Sequence, residues 1–520
     1  MQLISRKSKF YFLAFLKHDF KASITVFFVA LPLCLGISLA SGVPVYSGLA
    51  AGIVGGIIVS LISKSPLSVS GPAAGLTAIC AAAIHETGGL PLLFLAIMLA
   101  GLMQILLGIF KLGGFTSFIP SAVIKGMLAA IGIILISKQI PFVLFGYDKP
   151  MFWSNELFNI ITFNHAFQNI DDIRNSFSAG ILIVSISSIL FLIVWKRWLY
   201  KLISFLPASF ITVVFGVMIS LGVQYFFPSI KLLPTHFVNV PKNVFSQVKL
   251  PDLTAIFHST TIWKNALVIC FVATLETLLS IEAIDKLDAS NRVTPQNREL
   301  IAQGVGNTIS GLIGGLPVTA VIVRSAANAE AKAKTKLSSF SHGLWILLVV
   351  LFAVGLVNKI PYCVLAVILI RTGYNLAKPS MILSVYKQGR EQFLPFIITV
   401  IAILITNLLI GVLIGIAYSI YFLVKHTYRA GYTFKEIKHG HYNEYIIELA
   451  MNVSFLNKKK LIDVLDKIPM YSVVEIIGTK SVYIDYDILE IFQQFKSKAH
   501  LKHIELKLRD IREVETIEVH

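Results

Sequence analysis

The stretch from Gly314 to Lys336, GGLPVTAVIVRSAANAEAKAKTK, constrains the fold more than any other part of the sequence. A glycine pair and Pro317 interrupt an apolar run here, and Arg324 follows seven residues after the proline. This pattern is typical of a half-helix inside a membrane. Unwound backbone survives at membrane depth only where it is buried in protein or lines a water-filled cavity. The stretch therefore predicts a membrane protein with an internal cavity.

A second interrupted stretch lies nearer the N terminus. It runs from Ser68 to Ile84, SVSGPAAGLTAICAAAI, where Gly71 and Pro72 open a helix of small residues. Spans that are interrupted at corresponding positions of two halves are the best sequence pointer to the binding site of a transporter. The first N–H groups of such half-helices lack helical partners and carry partial positive charge. The two stretches therefore predict a transporter that binds an anion.

The composition supports a membrane protein. Of the 520 residues, 56% are hydrophobic and 14% are charged, whereas about a quarter of the residues in soluble domains are charged. The net charge of +17 comes from Lys and Arg at the ends of apolar runs, which is typical of cytoplasmic loops, so we expect no nucleic acid as a partner. The four cysteines lie inside apolar runs without disulfide or metal-ligand spacing. We therefore expect no metal site and no cofactor.

Fourteen apolar segments can be read as membrane spans. They lie at about residues 22–42, 46–63, 72–86, 91–110, 118–137, 178–196, 203–226, 264–282, 300–314, 317–332, 339–357, 361–377, 392–409 and 410–426. The third and tenth contain the two interruptions, seven spans apart. Because an odd number of spans in each half reverses the second half, the pattern predicts a mainly α-helical, polytopic protein with a 7+7 inverted repeat.

The charges indicate how the spans are oriented. An even number of crossings returns the chain to the cytoplasm, where Lys and Arg accumulate. Basic residues follow the even-numbered spans at Lys64, Lys111, Lys196, Arg197, Lys201, Lys286, Arg292, Arg298, Lys332, Lys334, Lys336, Arg371, Lys378, Lys425 and Arg429. We place the long outside loops at 139–176 and 227–262. This predicts a multi-pass protein of a bacterial-type inner membrane, in contact with lipid, with both termini in the cytoplasm.

The sequence divides into a basic cytoplasmic segment, a transmembrane transporter domain and a small cytoplasmic α/β domain. Their bounds are 1–21, 22–427 and 431–520. In the last region, 442–455 and 503–510 alternate apolar and polar residues as strands do, while 458–468 and 487–498 have helical spacing. Its sequence contains no nucleophile–base pair and no glycine-rich phosphate loop. We therefore expect a regulatory or assembly module, and not an enzyme.

An ionisable side chain lies in the middle of the eighth span. Glu276, in FVATLETLLSIEAID, costs at least a few kcal/mol at that depth unless it faces a cavity or a partner. Ser280 lies four residues further on and shares the same face of the helix. Because burial favours the neutral form of a carboxyl group, Glu276 suits a proton carrier with Ser280 beside it. The alternative is a structural carboxyl group that hydrogen-bonds between helices.

Arg324 is the second charge that the sequence places in a buried position. We place it two turns into the half-helix that begins at Pro317. There it either supplies positive potential behind an anion or neutralises Glu276. Thr77 and Thr319 lie near the two interruptions and could line the cavity, although a threonine in a membrane helix more often bonds its own backbone.

These features together resemble the SulP family of anion transporters. The resemblance rests on SVSGPAAGLTA at the third span, the carboxylate of the eighth span and the run from Asn297 to Ser338. The C-terminal domain looks like a STAS domain. The resemblance implies a core domain and a gate domain, elevator-like movement, and homodimers with cytoplasmic STAS domains.

The resemblance also implies where the anion lies. In the family it is held between the N termini of the third and tenth half-helices. The matching residues here are Ala73, Ala74, Gly75, Thr77, Val318, Thr319 and Ala320, and an arginine of some relatives matches Arg324. The acid of the eighth span corresponds to Glu276.

Two departures from relatives bear on the mechanism. By resemblance, sodium-coupled bicarbonate transporters use an aspartate and a threonine where this chain has Glu276 and Ser280, which favours protons over sodium. In the STAS-like domain, IDYDI at 484–488 replaces the Asp-Ser phosphoacceptor pattern. We therefore expect no phosphorylation switch there.

The sequence predicts secondary active transport of a small inorganic anion, sulfate or bicarbonate, coupled to protons. One alternative is an anion exchanger, or a dicarboxylate or nucleobase symporter of the same fold. A nucleobase pocket needs paired carboxylates and amides, whereas this pocket is expected to be small and nearly free of side-chain donors. A second alternative is a membrane-anchored signalling protein whose STAS-like domain is the output.

Overall fold

The computed structural model describes residues 18–114, 119–147, 178–199, 207–230, 232–240, 249–257, 259–406, 408–429, 431–439 and 442–512. The chain packs as two compact units. One consists of Met1–Gly389 with Phe396–Val412, and the other of Arg390–Pro395 with Leu413–His520.

Every predicted span contains a helix. In chain order the helices are α1 (Phe20–Ala40), α2 (Val45–Ile62), α3 (Thr77–Thr87), α4 (Leu90–Ile109), α5 (Ser121–Leu144), α6 (Ala179–Val194), α7 (Ala208–Phe226), α8 (Thr260–Asp285), α9 (Gln296–Leu312), α10 (Ile322–Glu330), α11 (Leu337–Phe352), α12 (Tyr362–Leu376), α13 (Arg390–Ile405) and α14 (Leu408–Arg429). Shorter helical pieces lie at Ala74–Leu76, Trp195–Leu199, Pro228–Ile230, Pro234–His236, Leu253–Phe257, Val354–Val357 and Pro379–Lys387. Among the described helices, α1, α2, α4, α5, α7, α8 and α14 are long and apolar enough to cross a membrane. The predicted polytopic, mainly α-helical fold is confirmed.

The third and tenth spans are the interrupted ones, as predicted. Each begins with a short strand, β1 (Ser70–Pro72) or β2 (Val318–Ala320), and continues as a helix of 11 residues in α3 and 9 residues in α10. The strands pair antiparallel, with Gly71 opposite Thr319. Equivalent elements seven spans apart therefore meet in opposite directions, as the inverted repeat requires.

The tenth half-helix begins later than the sequence suggests. The expected start is Pro317, but Val318–Ala320 is extended and α10 begins at Ile322. Pairing with β1 supplies backbone hydrogen bonds that a helix would otherwise have to supply. Arg324 therefore lies in the first turn of α10, and the prediction that it lies two turns into the helix is wrong.

Two other predicted boundaries are wrong. Residues 139–144 belong to α5 and not to an outside loop, because the apolar run IPFVL prolongs the helix. The helix of the third span begins at Thr77 and not directly at Pro72, because a 3₁₀ turn lies between β1 and α3. Segments 1–17 and 148–177 of the predicted basic segment and outside loop lie outside the described residues.

Helices α4 and α9 pack with their backbones in close contact. A Cβ placed on Gly101 would clash with the backbone N of Thr308, and one on Gly304 would lie 2.7 Å from the carbonyl O of Gly101. Small residues at such crossings allow membrane helices to approach closely. The crossing fixes α9 against α4.

The C-terminal region folds as an α/β unit. Its elements are β3 (Tyr432–His439), β4 (Tyr442–Leu449), β5 (Asn452–Val453), α15 (Lys458–Asp466), β6 (Val473–Ile477), β7 (Tyr483–Ile484), α16 (Tyr486–Ala499) and β8 (Glu505–Arg509). The main sheet has the order β3-β4-β6-β8, in which β4, β6 and β8 are parallel and β3 is antiparallel to β4. Ile447, Leu461, Val474 and Phe492 form part of its buried core. This arrangement is compatible with a STAS domain.

Candidate functional site

Two amide side chains of α9 hydrogen-bond to β1 and β2 at the strand crossing, which is the antiparallel pairing of Ser70–Pro72 with Val318–Ala320. Asn307 donates to the carbonyl O of Val318 at 2.9 Å and accepts from the N–H of the same residue at 2.5 Å. Four residues earlier, Gln303 donates to the hydroxyl of Ser70 at 2.7 Å. Because residues four apart share one face of a helix, a single face of α9 positions β1 and β2 together.

This face of α9 belongs to a buried polar network. Asn307 also donates to Oε1 of Gln104 on α4 at 2.7 Å. One turn before Gln303, the carboxylate of Glu299 accepts from the Gln303 amide at 3.0 Å and from the Ser63 hydroxyl. Glu299, Gln303, Asn307 and Gln104 are fully buried. Buried polar groups bonded to one another in this way make the packing rigid and specific.

Glu276, the predicted proton carrier, lies in α8 with its carboxylate against the interrupted third span. A Cβ placed on Gly75 would lie 2.8 Å from Oε2 of Glu276, so glycine leaves the room that the acid occupies. Oε2 is buried and has no hydrogen-bond partner among the described residues. The acid is thus in contact with Gly75, one of the residues predicted to bind the anion.

The predicted hydroxyl residues have different surroundings. Ser280 is buried on α8, but no hydrogen bond joins its side chain to Glu276 in the described part of the chain. The hydroxyl of Thr77 donates to the carbonyl O of Ala74 at 2.8 Å, so it bonds its own backbone. Oγ1 of Thr319 is buried without a hydrogen-bond partner in the described structure. Thr319 is therefore the threonine whose hydroxyl remains available at the crossing.

Arg324 lies against Gly71 of β1 and does not pair with Glu276. Its side chain is fully buried, with Nη2 3.4 Å from Sγ of Cys34 on α1. A Cβ placed on Gly71 would clash with Nη1 of Arg324. Within the described residues, Nε and Nη1 have no hydrogen-bond partner, and no ion pair joins Arg324 to Glu276. The structure therefore gives no support to the alternative in which Arg324 neutralises Glu276.

A cavity of about 370 Å³ lies beside the interruption of the third span. Of the predicted anion-binding residues, Ala74, Gly75 and Thr77 line it. Helices α5, α8, α13 and α14 complete the lining, largely with apolar side chains such as Ile131 and Val268. The interruption of the third span is thus accessible from a small, mostly apolar space.

The other predicted anion-binding residues do not line this cavity. Ala73, Val318, Thr319 and Ala320 are at most 2% exposed, and Arg324 is fully buried. Strand β2 contributes by pairing with β1. The fold therefore brings the two interruptions together, but they do not both face the cavity.

Three polar residues at the cavity form a group that sequence reasoning missed. Nζ of Lys264 and Nδ2 of Asn265 each lie 3.2 Å from Oε2 of Glu86. All three line the cavity. The sequence places Glu86 at the outer end of the third span but gives no sign that it meets α8. By contrast, the four-residue spacing of Gln303 and Asn307 in an otherwise apolar span is a signal that could have identified them.

The described residues offer no metal site. No group of three or more His, Cys, Asp or Glu side chains among them could hold an ion, and all four cysteines are buried free thiols. The buried polar atoms at the interruptions that have no hydrogen-bond partner among the described residues include Oε2 of Glu276, Oγ1 of Thr319 and Nη1 of Arg324.

A polytopic helical fold in which two interrupted spans pair at a crossing, one of them beside a cavity, defines a membrane transporter. The chain belongs to the sulfate permease family, whose family model matches residues 16–399. The resemblance to SulP transporters is thereby confirmed. The chain is a multi-pass membrane protein of an anion-transporter family.

Two sequence relatives illustrate this membership. The protein YvdB of Bacillus subtilis, to which a sulfate-transporter function is ascribed, is 28% identical over 422 residues, which cover 81% of this chain and 76% of YvdB. The bicarbonate transporter BicA of Picosynechococcus sp. is 25% identical over 410 residues, which cover 77% of this chain and 69% of BicA.

Solved structures agree with the fold. The transmembrane domain of a cyanobacterial bicarbonate transporter BicA matches with a TM-score of 0.64 at 23% identity, covering 78% of this chain and 97% of that domain. The murine anion transporter Slc26a9 in the inward-facing state matches with a TM-score of 0.75 at 15% identity, covering 95% of this chain and 85% of that protein. These likenesses concern the fold alone.

Proposed function

We propose that this protein carries out secondary active transport of a small inorganic anion, sulfate or bicarbonate. The observation that carries the proposal is the cavity of about 370 Å³ beside the interrupted third span, lined by Ala74, Gly75 and Thr77. Such a space suits an anion held by backbone N–H groups. A nucleobase would need paired carboxylates and amides around its ring. Relatives named for sulfate or bicarbonate support the same class of substrate.

Proton coupling through Glu276 is the second part of the proposal. Oε2 of Glu276 lies against Gly75 without a described hydrogen-bond partner, so an ionised carboxylate there repels an anion at the interruption. Protonation removes this repulsion, and proton and anion therefore favour each other's binding by linkage. We expect no sodium requirement, since Glu276 and Ser280 replace the acid and threonine of sodium-coupled relatives.

Elevator-like movement is the third part. Strands β1 and β2 are tied to α9 by Gln303 and Asn307, and the N–H of Ala320 donates to Oγ1 of Thr277 on α8 at 3.4 Å. These bonds favour movement of β1, β2, α8 and α9 as one rigid body. Across the cavity this body faces largely apolar side chains of α5, α13 and α14, and a largely apolar contact can slide. The anion would then cross with the body that holds it.

The proposal also covers the location of the protein, its domains and its oligomeric state. We place the protein in the inner membrane with both termini in the cytoplasm, because basic residues follow the even-numbered spans. The α/β unit would serve as a STAS-like regulatory or assembly module at 431–520, with the transporter at 22–427, and the protein would be a homodimer.

Counterflow in proteoliposomes tests the function. Vesicles loaded with unlabelled sulfate, bicarbonate, chloride or fumarate are diluted into the same labelled anion, with and without sodium, and sulfate is measured at two pH values. We expect labelled sulfate or bicarbonate to accumulate, with sulfate uptake faster at the lower pH and sodium without effect. Counterflow of fumarate alone would identify a dicarboxylate transporter. Absence of counterflow with every anion would contradict transport and favour a signalling protein.

A further inference from the structure

We infer that Lys264, Glu86 and Asn265 form an outer anion site, in which Glu86 competes with the incoming anion for the ammonium group of Lys264. The inference rests on the proposed function, since it takes the cavity as the route of the anion. It adds a binding site separate from Glu276 and from the two interruptions, although Glu86 belongs to the helix of the third span.

The geometry of the three residues defines the site. Glu86 lies in the last turn of α3, and Lys264 and Asn265 lie in the first two turns of α8. Oε2 of Glu86 is 3.2 Å from Nζ of Lys264 and 3.2 Å from Nδ2 of Asn265. The same Asn265 amide donates to the carbonyl O of Thr261 at 3.0 Å, so it is fixed to its own helix. One carboxylate oxygen is therefore shared between an exposed cation and an amide that is also bonded to its own helix.

The ammonium group of Lys264 is bound weakly enough by Glu86 for an anion to compete for it. The side chains of Lys264 and Glu86 are 66% and 43% exposed. Ion pairs this exposed contribute about 0 to 1 kcal/mol, because water and salt screen them and the side chains lose entropy. A divalent or well-placed monovalent anion can therefore displace Glu86 from Lys264. The amide of Asn265 remains as a partner for the displaced carboxylate.

The charges around the cavity explain why the Glu86–Lys264 pair affects the entry of an anion into the cavity. Among the described residues that line the cavity, Glu86 and Lys264 are the charged ones, and their charges cancel. Small oriented charges at the mouth of a low-dielectric cleft raise the local concentration of a counter-ion and its association rate. Lys264 would attract the anion, and Glu86 would limit its residence.

Variants of Glu86 and Lys264 should therefore shift the apparent affinity for the anion in opposite directions. Removing the charge of Glu86 frees Lys264 for the anion, and Gln at this position can still accept from Asn265. Removing the charge of Lys264 leaves the negative charge of Glu86 without a compensating cation at the cavity, although Asn265 still donates to it. We expect the anion concentration at half-maximal uptake to fall about threefold in Glu86→Gln and to rise about threefold in Lys264→Gln, within the range of an exposed charge pair. Both shifts should shrink at high salt.

The control variant is Lys286→Gln, at the other end of the same helix. Lys286 pairs with Glu282 at 2.8 Å, and the two side chains are 72% and 61% exposed. The pair resembles Glu86–Lys264 in kind, but neither residue lines this cavity. Loss of this charge should leave the external half-saturation unchanged.

The test is uptake of labelled sulfate and labelled bicarbonate by intact cells that express the wild type, Glu86→Gln, Lys264→Gln, the double variant or Lys286→Gln, over a range of external concentrations at two ionic strengths. Surface expression is measured in parallel. Opposite shifts in the two single variants, a double variant between them and an unchanged control support the site. Wild-type uptake with equal half-saturation in all variants, or shifts in the same direction, overturn the outer site alone. Absence of uptake by the wild type with both anions overturns the proposed function and the outer site together.

Discussion

Asn307 is the side chain whose removal should destabilise the pairing of β1 and β2 most. It accepts from the N–H of Val318 at 2.5 Å, donates to the carbonyl O of Val318 at 2.9 Å and donates to Oε1 of Gln104 at 2.7 Å. In Asn307→Ala all three partner atoms lose this bond in a buried environment. Water does not replace it, because Asn307 and Val318 are fully buried.

The magnitude follows from the number of groups left unsatisfied. A buried donor or acceptor without a partner costs about 1 to 3 kcal/mol. Three groups at the lower part of this range give a loss of about 3 to 6 kcal/mol in the free energy of unfolding. Asn307→Asp keeps an acceptor for the N–H of Val318 but has no donor when ionised, and it adds a buried charge. We therefore expect it to rescue little of the loss.

The assay is the apparent melting temperature of the purified protein in detergent, together with anion counterflow. Thr308→Ala is the matched control, since Thr308 is the next residue of α9 and its hydroxyl donates to the carbonyl O of Gly304 in the same helix at 2.9 Å. We expect Asn307→Ala to lower the melting temperature by about 5 °C or more and to abolish counterflow. Thr308→Ala should cost about 1 kcal/mol or less. Equal melting temperatures for the two variants would refute the role of Asn307.

Four further changes test other parts of the structure. Ala74→Leu fills the cavity beside the interruption and should abolish anion binding while the protein stays folded. Ala320→Leu should also abolish binding in a folded protein, because the larger side chain displaces β2. Wild-type anion affinity in both variants would place the anion elsewhere. Gly75→Ala puts a Cβ 2.8 Å from Oε2 of Glu276, so it should displace the acid and weaken the pH dependence of uptake; an unaltered pH profile would argue against contact between them. Deletion after Arg429 should change expression, assembly or turnover and leave the ranking of anions as it is, which competition between labelled and unlabelled anions will check.

The spans and their interruptions could be predicted from the sequence because local patterns determine them. Apolar runs between basic ends indicate where helices cross a membrane, and Gly71–Pro72 and Gly314–Pro317 mark where helical hydrogen bonding stops. Glu276 could be identified for a similar reason, since an acid within an apolar run is costly unless it faces a cavity or a partner.

Contacts between distant residues could not be predicted in the same way. The start of α10 at Ile322, and with it the place of Arg324, depends on pairing between β1 and β2 across about 250 residues. The meeting of Glu86 with Lys264 depends on how α3 packs against α8. Local hydropathy contains no information on either contact. For Arg324 the sequence left two roles open, and the contacts with Gly71 and Cys34 separate this side chain from Glu276.

The central claim is that an anion and a proton cross together through the site at Gly75 and Glu276. The most direct measurement is uptake of labelled sulfate into proteoliposomes driven by an imposed pH gradient, compared between the wild type and Glu276→Gln. Because Gln keeps the shape of the acid but cannot release a proton, the variant should still bind and exchange sulfate while losing accumulation driven by the gradient. Gradient-driven accumulation by Glu276→Gln at the wild-type level would contradict the coupling role of this acid.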